Sequence, residues 1–178
     1  MIKLETERLI LRCRDLSDVQ NMFELDSDPE VMRYINGGIP RTLKEIEANF
    51  VKFEKQIMDH ENDFGCWMAD LKDSGRNIGW FILKPIGDEI PGIEVGYRLK
   101  REFWGKGYAT EGAREMIKYG FETVQLEEIV AITDPENLAS QNVLEKCGLT
   151  YDRMEKHQDF PVKYFRILKD QYEDQNSH

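Results

Sequence analysis

The 178-residue chain reads as a mixed α/β fold. Stripes of apolar residues at helical spacing interleave with short alternating or wholly apolar runs along the whole length. Two of those runs, "FGCWMADL" and "NIGWFILK", are joined by "KDSGR", a hairpin signature. A strand, a glycine loop, a helix and a second strand then follow between residues 93 and 134, a strand–helix–strand crossover.

The elements follow in order. "ERLILRC" is a strand, with Leu9 and Leu11 on one face and Ile10 on the other. Ser17 suits the cap of a helix from Asp18 to Leu25. Pro29 opens a short helix in "DSDPEVMRYI", and "NGGIPR" is a loop. Thr42 starts a longer helix, with Glu45 at capping-box spacing and Leu43, Ile46, Phe50, Phe53 and Ile57 on one stripe. The stripe reads as core, with the wall of a substrate cleft as the alternative. After the hairpin, "IGDEIPG" turns into the strand "IEVGYRLK". Tyr108 to Val124 forms a helix whose buried face carries Ala109, Ala113, Met116, Ile117, Gly120, Phe121 and Val124. "EEIVAITD" is a buried strand and "NLASQNVLEKCG" a helix stopped by Gly148. "LTYDRMEKHQD" and "FPVKYFRILKD" are the last strands, which makes about seven in one mixed sheet. Residues 1–170 form one domain, and 171–178 is a polar, frayed tail.

Composition removes several function classes. A net charge of −10 repels nucleic-acid backbones, so no nucleic-acid partner is expected. No apolar run approaches a membrane span, and "MIKLETERLILRCRD" is no secretion signal, so the expected location is cytoplasmic and no membrane partner is called for. Cys13, Cys66 and Cys147 lie among apolar neighbours, and His60, His157 and His178 are far apart. Neither set has metal-ligand spacing, so no metal is expected.

"FWGKGYATEG", residues 103–112, carries the strongest functional signal. The first N–H groups of a helix lack intrahelical partners, and the helix dipole makes that end an anion site. Gly105 and Gly107 let a phosphate approach the backbone and tolerate positive φ, and Lys106 adds a positive charge. A tight turn that merely needs glycine is the plainer alternative. No window matches the P-loop pattern, and the dinucleotide fingerprint fails where Thr110 replaces its third small residue. A nucleotide-binding oxidoreductase is thereby disfavoured.

"EFWGKGYATEG" resembles the acyl-CoA loop of the GCN5-related N-acetyltransferases, in particular the branch of the RimJ and RimL ribosomal-protein N-terminal acetyltransferases. "LETERLILR", "IEVGYRL" and "NLASQNVLEKCGL" resemble that branch's first strand, fourth strand and later helix, in the family's order. The resemblance implies the GNAT fold, with splayed fourth and fifth strands, and acetyl-CoA as co-substrate. It implies that backbone amides across Trp104, Gly105, Lys106, Gly107, Tyr108, Ala109 and Thr110 cradle the diphosphate of coenzyme A. Val95, Tyr97, Arg98 and Leu99 would pair with the pantetheine arm as an added strand, and Asn137 would clamp it. Two positions depart from the family pattern. Glu102 stands where Gln or Arg is usual, and Leu144 where a tyrosine acid is common, leaving Ser140 as the donor to the thiol.

The implied reaction is direct acetyl transfer to a primary amine, on a protein N-terminus or a small molecule. Glu94 is the candidate base, because charge is depleted in strands and the attacking amine must be neutral. A backbone N–H near Val95 or Tyr97 would receive the thioester oxygen. Glu94 also fits a solvated or ion-paired face, Asn137 a plain N-cap, and Ser140 a first-turn cap. A catalytically silent acyl-CoA-binding regulatory module is the alternative function, and a homodimer is left open.

Overall fold

The structure, a computed structural model, describes residues 2–58, 64–87 and 90–176, with backbone alone for residues 52–58. Phe53 and Ile57 of the apolar stripe therefore lie outside the described side chains. The chain begins with β1 (Leu4–Glu5) and β2 (Leu9–Cys13), then α1 (Val19–Asp26), α2 (Pro29–Asn36) and α3 (Leu43–Met58). A meander follows, of β3 (Gly65–Leu71), β4 (Asn77–Pro85) and β5 (Ile93–Leu99). Then come α4 (Tyr108–Lys118), β6 (Glu128–Thr133), α5 (Leu138–Lys146), β7 (Thr150–His157), β8 (Phe160–Leu168) and α6 (Lys169–Asn176).

Among the described residues, eight strands join one sheet in the order β1-β2-β3-β4-β5-β6-β8-β7. Every neighbouring pair is antiparallel except β5 and β6, which the α4 crossover makes parallel. Those two strands meet at a single register, Glu94 with Val130. Beyond that point they diverge, so the middle of the sheet is split.

The two faces of the sheet are covered differently. Leu9, Leu11, Trp67, Phe81, Leu83, Val95 and Leu99 point toward α4, which answers with Ala113, Met116 and Ile117. A Cβ at Gly112 would stand 2.1 Å from Phe81 Cζ, so the missing side chain lets α4 lie against the ring. Phe81 is fully buried, and truncating it to alanine should cost roughly 3–5 kcal/mol. On the other face, α1 lies against β4 and carries α2 and α3, and Leu25, Met32, Ile46, Phe50, Cys66, Met68 and Ile82 are buried.

Several sequence readings need correction. Among the described residues the sheet has eight strands rather than about seven, because Leu4–Glu5 adds an edge strand too short to show periodicity. Ser17 caps nothing: Asp15 caps a 3₁₀ turn over Leu16–Asp18, and the Ser17 N–H donates to Asp15 Oδ1 at 2.7 Å. The helix read as Tyr108 to Val124 changes hand-hold after Lys118, where Tyr119–Thr123 continue as a π-helical segment. Residues 169–176, mostly read as frayed tail, form α6, and Tyr172 stacks on Phe121 with centroids 4.9 Å apart. The Thr42–Glu45 capping box is present, with both reciprocal bonds formed.

Candidate active site

The loop between β5 and α4 has the conformation that its glycines predict. Gly105 and Gly107 sit at φ 72° and 84°, in the left-handed region. Gly107 is the N-cap of α4 and has no side chain to offer, so no side-chain cap competes for the helix's first N–H groups. A Cβ at Gly105 would meet nothing within 4 Å, so open space lies beside the loop at that point. Phe103 anchors the loop in the core, Trp104 Nε1 donates to Leu99 O at 2.7 Å, and Lys106 Nζ lies 5.6 Å from the Phe103 ring centroid. Tyr108 packs edge-on against Phe103, Ala109 packs against the core, and the Thr110 carbonyl accepts from Cys147 Sγ at 3.6 Å. Glu102 is paired with Arg76 at 2.8 Å, so its carboxylate is neutralised where the family pattern has a neutral or basic residue.

Strand parity sends the residues of β5 to two different environments. Glu94, Gly96 and Arg98 face the α1–α3 side. Glu94 is nearly buried and its Oε2 lies 3.7 Å from Lys84 Nζ, its cross-strand neighbour. Burial pushes its carboxyl above the ordinary range, and Lys84 only partly offsets this. A Cβ at Gly96 would press on Ile82 at 3.0 Å and come within 3.6 Å of Glu94 Oε1, so glycine keeps space beside the carboxylate. The Arg98 side chain is turned away from the split and pairs with Asp26 of α1, which also accepts from Arg41 at 3.2 Å.

Val95, Tyr97 and Leu99 face the α4–α5 side. Val95 and Leu99 are core residues. The Tyr97 hydroxyl reaches Ser140 Oγ on α5 at 3.4 Å, and burial pushes its phenol up to about 12. Asn137 is the N-cap of α5, its Oδ1 accepting the Ser140 N–H at 3.1 Å. The structure thus gathers Tyr97, Asn137 and Ser140 on one face of the split and Glu94 on the other. Cys147 is buried with its thiol pushed up to about 11, which does not favour a thiolate nucleophile.

Sequence reasoning missed Arg8, the Tyr97 hydroxyl and Lys84. Arg8 donates to Lys106 O at 3.0 Å and binds Glu111, yet it stands 98 residues from the first and 103 from the second. Lys84 was the one with a local signal, since hairpin register alone sets it opposite Glu94. Among the described residues no cluster of His, Cys, Asp and Glu could hold a metal ion, and no helix is long and apolar enough to cross a membrane.

Known proteins match this chain in sequence and fold. The model of the acetyltransferase (GNAT) domain matches residues 8–150. An FsC-acetyl coenzyme A-N(2)-transacetylase of Aspergillus fumigatus is 37% identical over 72% of this chain, a stretch that spans just over half, 56%, of that longer relative. An uncharacterized N-acetyltransferase p20 of Bacillus licheniformis is 33% identical over 97% of this chain and 99% of its own length. A solved GNAT-family acetyltransferase from Bacillus anthracis superposes with a TM-score of 0.79 at 28% identity, covering 95% of this chain and 99% of that one. The split sheet, the glycine loop at a helix start and these matches across nearly the whole length lead to one conclusion: the chain belongs to the GNAT family and is an N-acetyltransferase.

Proposed function

We propose that the chain moves an acetyl group from acetyl-CoA to a primary amine, on a small molecule or a protein N-terminus, by direct transfer in a ternary complex. The observation that carries this reading is the split between β5 and β6, with a nearly buried carboxylate on one face and a hydroxyl pair on the other. The diphosphate would sit on the loop amides from Trp104 to Thr110, and the pantetheine arm would pair with β5 from Val95 to Leu99. Asn137 holds the start of α5 against that arm. The order of the sequence motifs supports placing the chain in the RimJ/RimL-like branch, and a cytoplasmic site of action fits its supply of acetyl-CoA.

The amine arrives from the α1–α3 face. Glu94 takes its proton, directly or through a water, and a carboxyl with a raised pKa is better matched to that task near neutral pH. The amine nitrogen then attacks the thioester carbonyl, whose oxygen gains charge beside the backbone of β5. The C–S bond breaks and the electrons pass to sulfur. Ser140 donates a proton to the thiolate on the α5 face, Tyr97 replenishes Ser140 through their hydrogen bond, and the second proton of the attacking nitrogen, released as the adduct collapses to the amide, passes through water to restore the Tyr97 phenol. The tyrosine that the family often places at the position of Leu144 is thus supplied from β5 instead.

Thiol release from acetyl-CoA across a panel of polyamines, amino acids, aminoglycosides and short peptides tests the reading, beside calorimetric titration with coenzyme A. The expected result is micromolar coenzyme binding and amine-dependent release with one class of acceptor. Absence of coenzyme A binding would overturn it.

A further inference from the structure

The turn between β1 and β2 is tied to the loop by more contacts than a surface turn needs. Glu111 lies in the first turn of α4, where an uncompensated carboxylate would repel a diphosphate. Its Oε1 accepts from Thr6 Oγ1 at 2.5 Å and from the Arg8 N–H at 2.8 Å, and its Oε2 accepts from Arg8 Nε at 2.6 Å. Arg8 Nη2 is also 2.6 Å from Oε2, so two guanidinium nitrogens converge on that one oxygen. Hydrogen bonds from Thr6 and Arg8 outweigh the opposing effect of burial and keep this carboxyl ionised. The same guanidinium then spans to the loop. Its Nη1 donates to Lys106 O at 3.0 Å, it lies 4.3 Å from the Tyr108 ring centroid, and its Nη2 would be 3.3 Å from a Cβ on Gly107.

The contact with Lys106 has a geometric consequence. In a trans peptide the C=O of one residue and the N–H of the next point in opposite directions. Holding the Lys106 oxygen on Arg8 therefore aims the Gly107 N–H to the other side, away from Arg8. With Gly105 and Gly107 both at positive φ, that peptide could otherwise flip at little cost. An anion site preset in this way binds without first ordering the loop.

We propose that Arg8 and Glu111 are positioning residues that fix the Lys106–Gly107 peptide in the orientation that binds the diphosphate of coenzyme A. The proposal rests on the acetyl-CoA reading above. It predicts a loss confined to ligands that carry the diphosphate.

The test is calorimetric affinity for coenzyme A and, by competition, for pantetheine, which has the same arm without the diphosphate. Arg8→Gln should weaken coenzyme A about tenfold and leave pantetheine unchanged. Glu111→Gln should do the same, and the double variant should be no worse than either single one, because the two side chains act as one clamp. Arg8→Lys keeps the charge but cannot bridge Glu111 and Lys106 O together, so it should lose nearly as much; it carries the test if Arg8→Gln does not fold. Native coenzyme A affinity in a folded Arg8 variant would overturn the proposal. So would equal losses for coenzyme A and pantetheine, which would mean general damage to the site. If the unaltered chain binds no coenzyme A, the acetyl-CoA reading itself has failed, and the clamp with it.

Discussion

Glu94 carries two opposite consequences. Its raised pKa means that the folded chain holds a proton that the unfolded chain releases, so stability falls as pH rises from about 4.3, the ordinary glutamate value, toward the folded value. Glu94→Gln removes that penalty. The variant should match or exceed the unaltered chain in urea midpoint at pH 7, with the advantage gone below about pH 4. Its turnover should nonetheless fall by about 10²–10⁴-fold at neutral pH and recover at high pH, where the amine is already neutral. A kcat unchanged at neutral pH, with chemistry limiting, would remove Glu94 from the mechanism. A rise in KM alone would make it an acceptor-binding charge. Tyr97 and Ser140 make a second residue-scale test. Tyr97→Phe keeps the ring beside Phe81, whose centroid is 5.9 Å away, and removes only the hydroxyl. If the pair passes one proton, Tyr97→Phe and Ser140→Ala should each slow turnover on the order of tenfold, and the double variant should be no slower. Additive losses would show two separate roles.

At the scale of elements, the glycine loop and α4 form one unit. Gly107→Val puts a β-branched residue at φ 84° and presses it on Arg8 Nη2. The strain should cost on the order of 1–3 kcal/mol and weaken coenzyme A at least tenfold, read by calorimetry beside a melting curve. Native affinity in a folded variant would refute the diphosphate loop. This unit was legible in the sequence because its signal is local: glycines, a lysine and a helix start within ten residues. The α3 capping box and the β3–β4 hairpin were legible for the same reason. α6 was not, because it is polar almost throughout and docks through Tyr172 rather than along an apolar stripe. Tyr172→Ala should therefore lower stability by roughly 1–2 kcal/mol. Arg8 and Tyr97 escaped because their partners are distant in the chain, and only tertiary packing of β2 on α4 and of α5 on β5 brings them together.

Over the whole molecule, the charge of −10 gives an attractive field for cations at low salt. If the acceptor is a polyamine, its kcat/KM should fall severalfold as salt rises from about 0.05 M to 0.5 M, where the field reaches only a few ångströms. A salt-independent kcat/KM would assign selection of the amine to contacts inside the cleft. The fold also divides labour between faces. The α4–α5 face is built from the motifs that carry the family resemblance. The α1–α3 face lacks such motifs, which is why the reaction could be read from the sequence and the acceptor could not.

The single register between β5 and β6 also has a kinetic signature. β5 lies in the interior of an eight-stranded sheet, where backbone amides ordinarily exchange with solvent only on global unfolding. Successive amides along it point to opposite sides. Those aimed at β4 are locked in a complete ladder from Pro85–Ile93 to Gly79–Leu99, while those aimed at the gap beyond the Glu94–Val130 register have no strand to meet. One strand should therefore show alternating slow and fast hydrogen–deuterium exchange, residue by residue. Coenzyme A should slow the fast set alone, so that one of the two central strands of the sheet records the occupancy of the gap beside it.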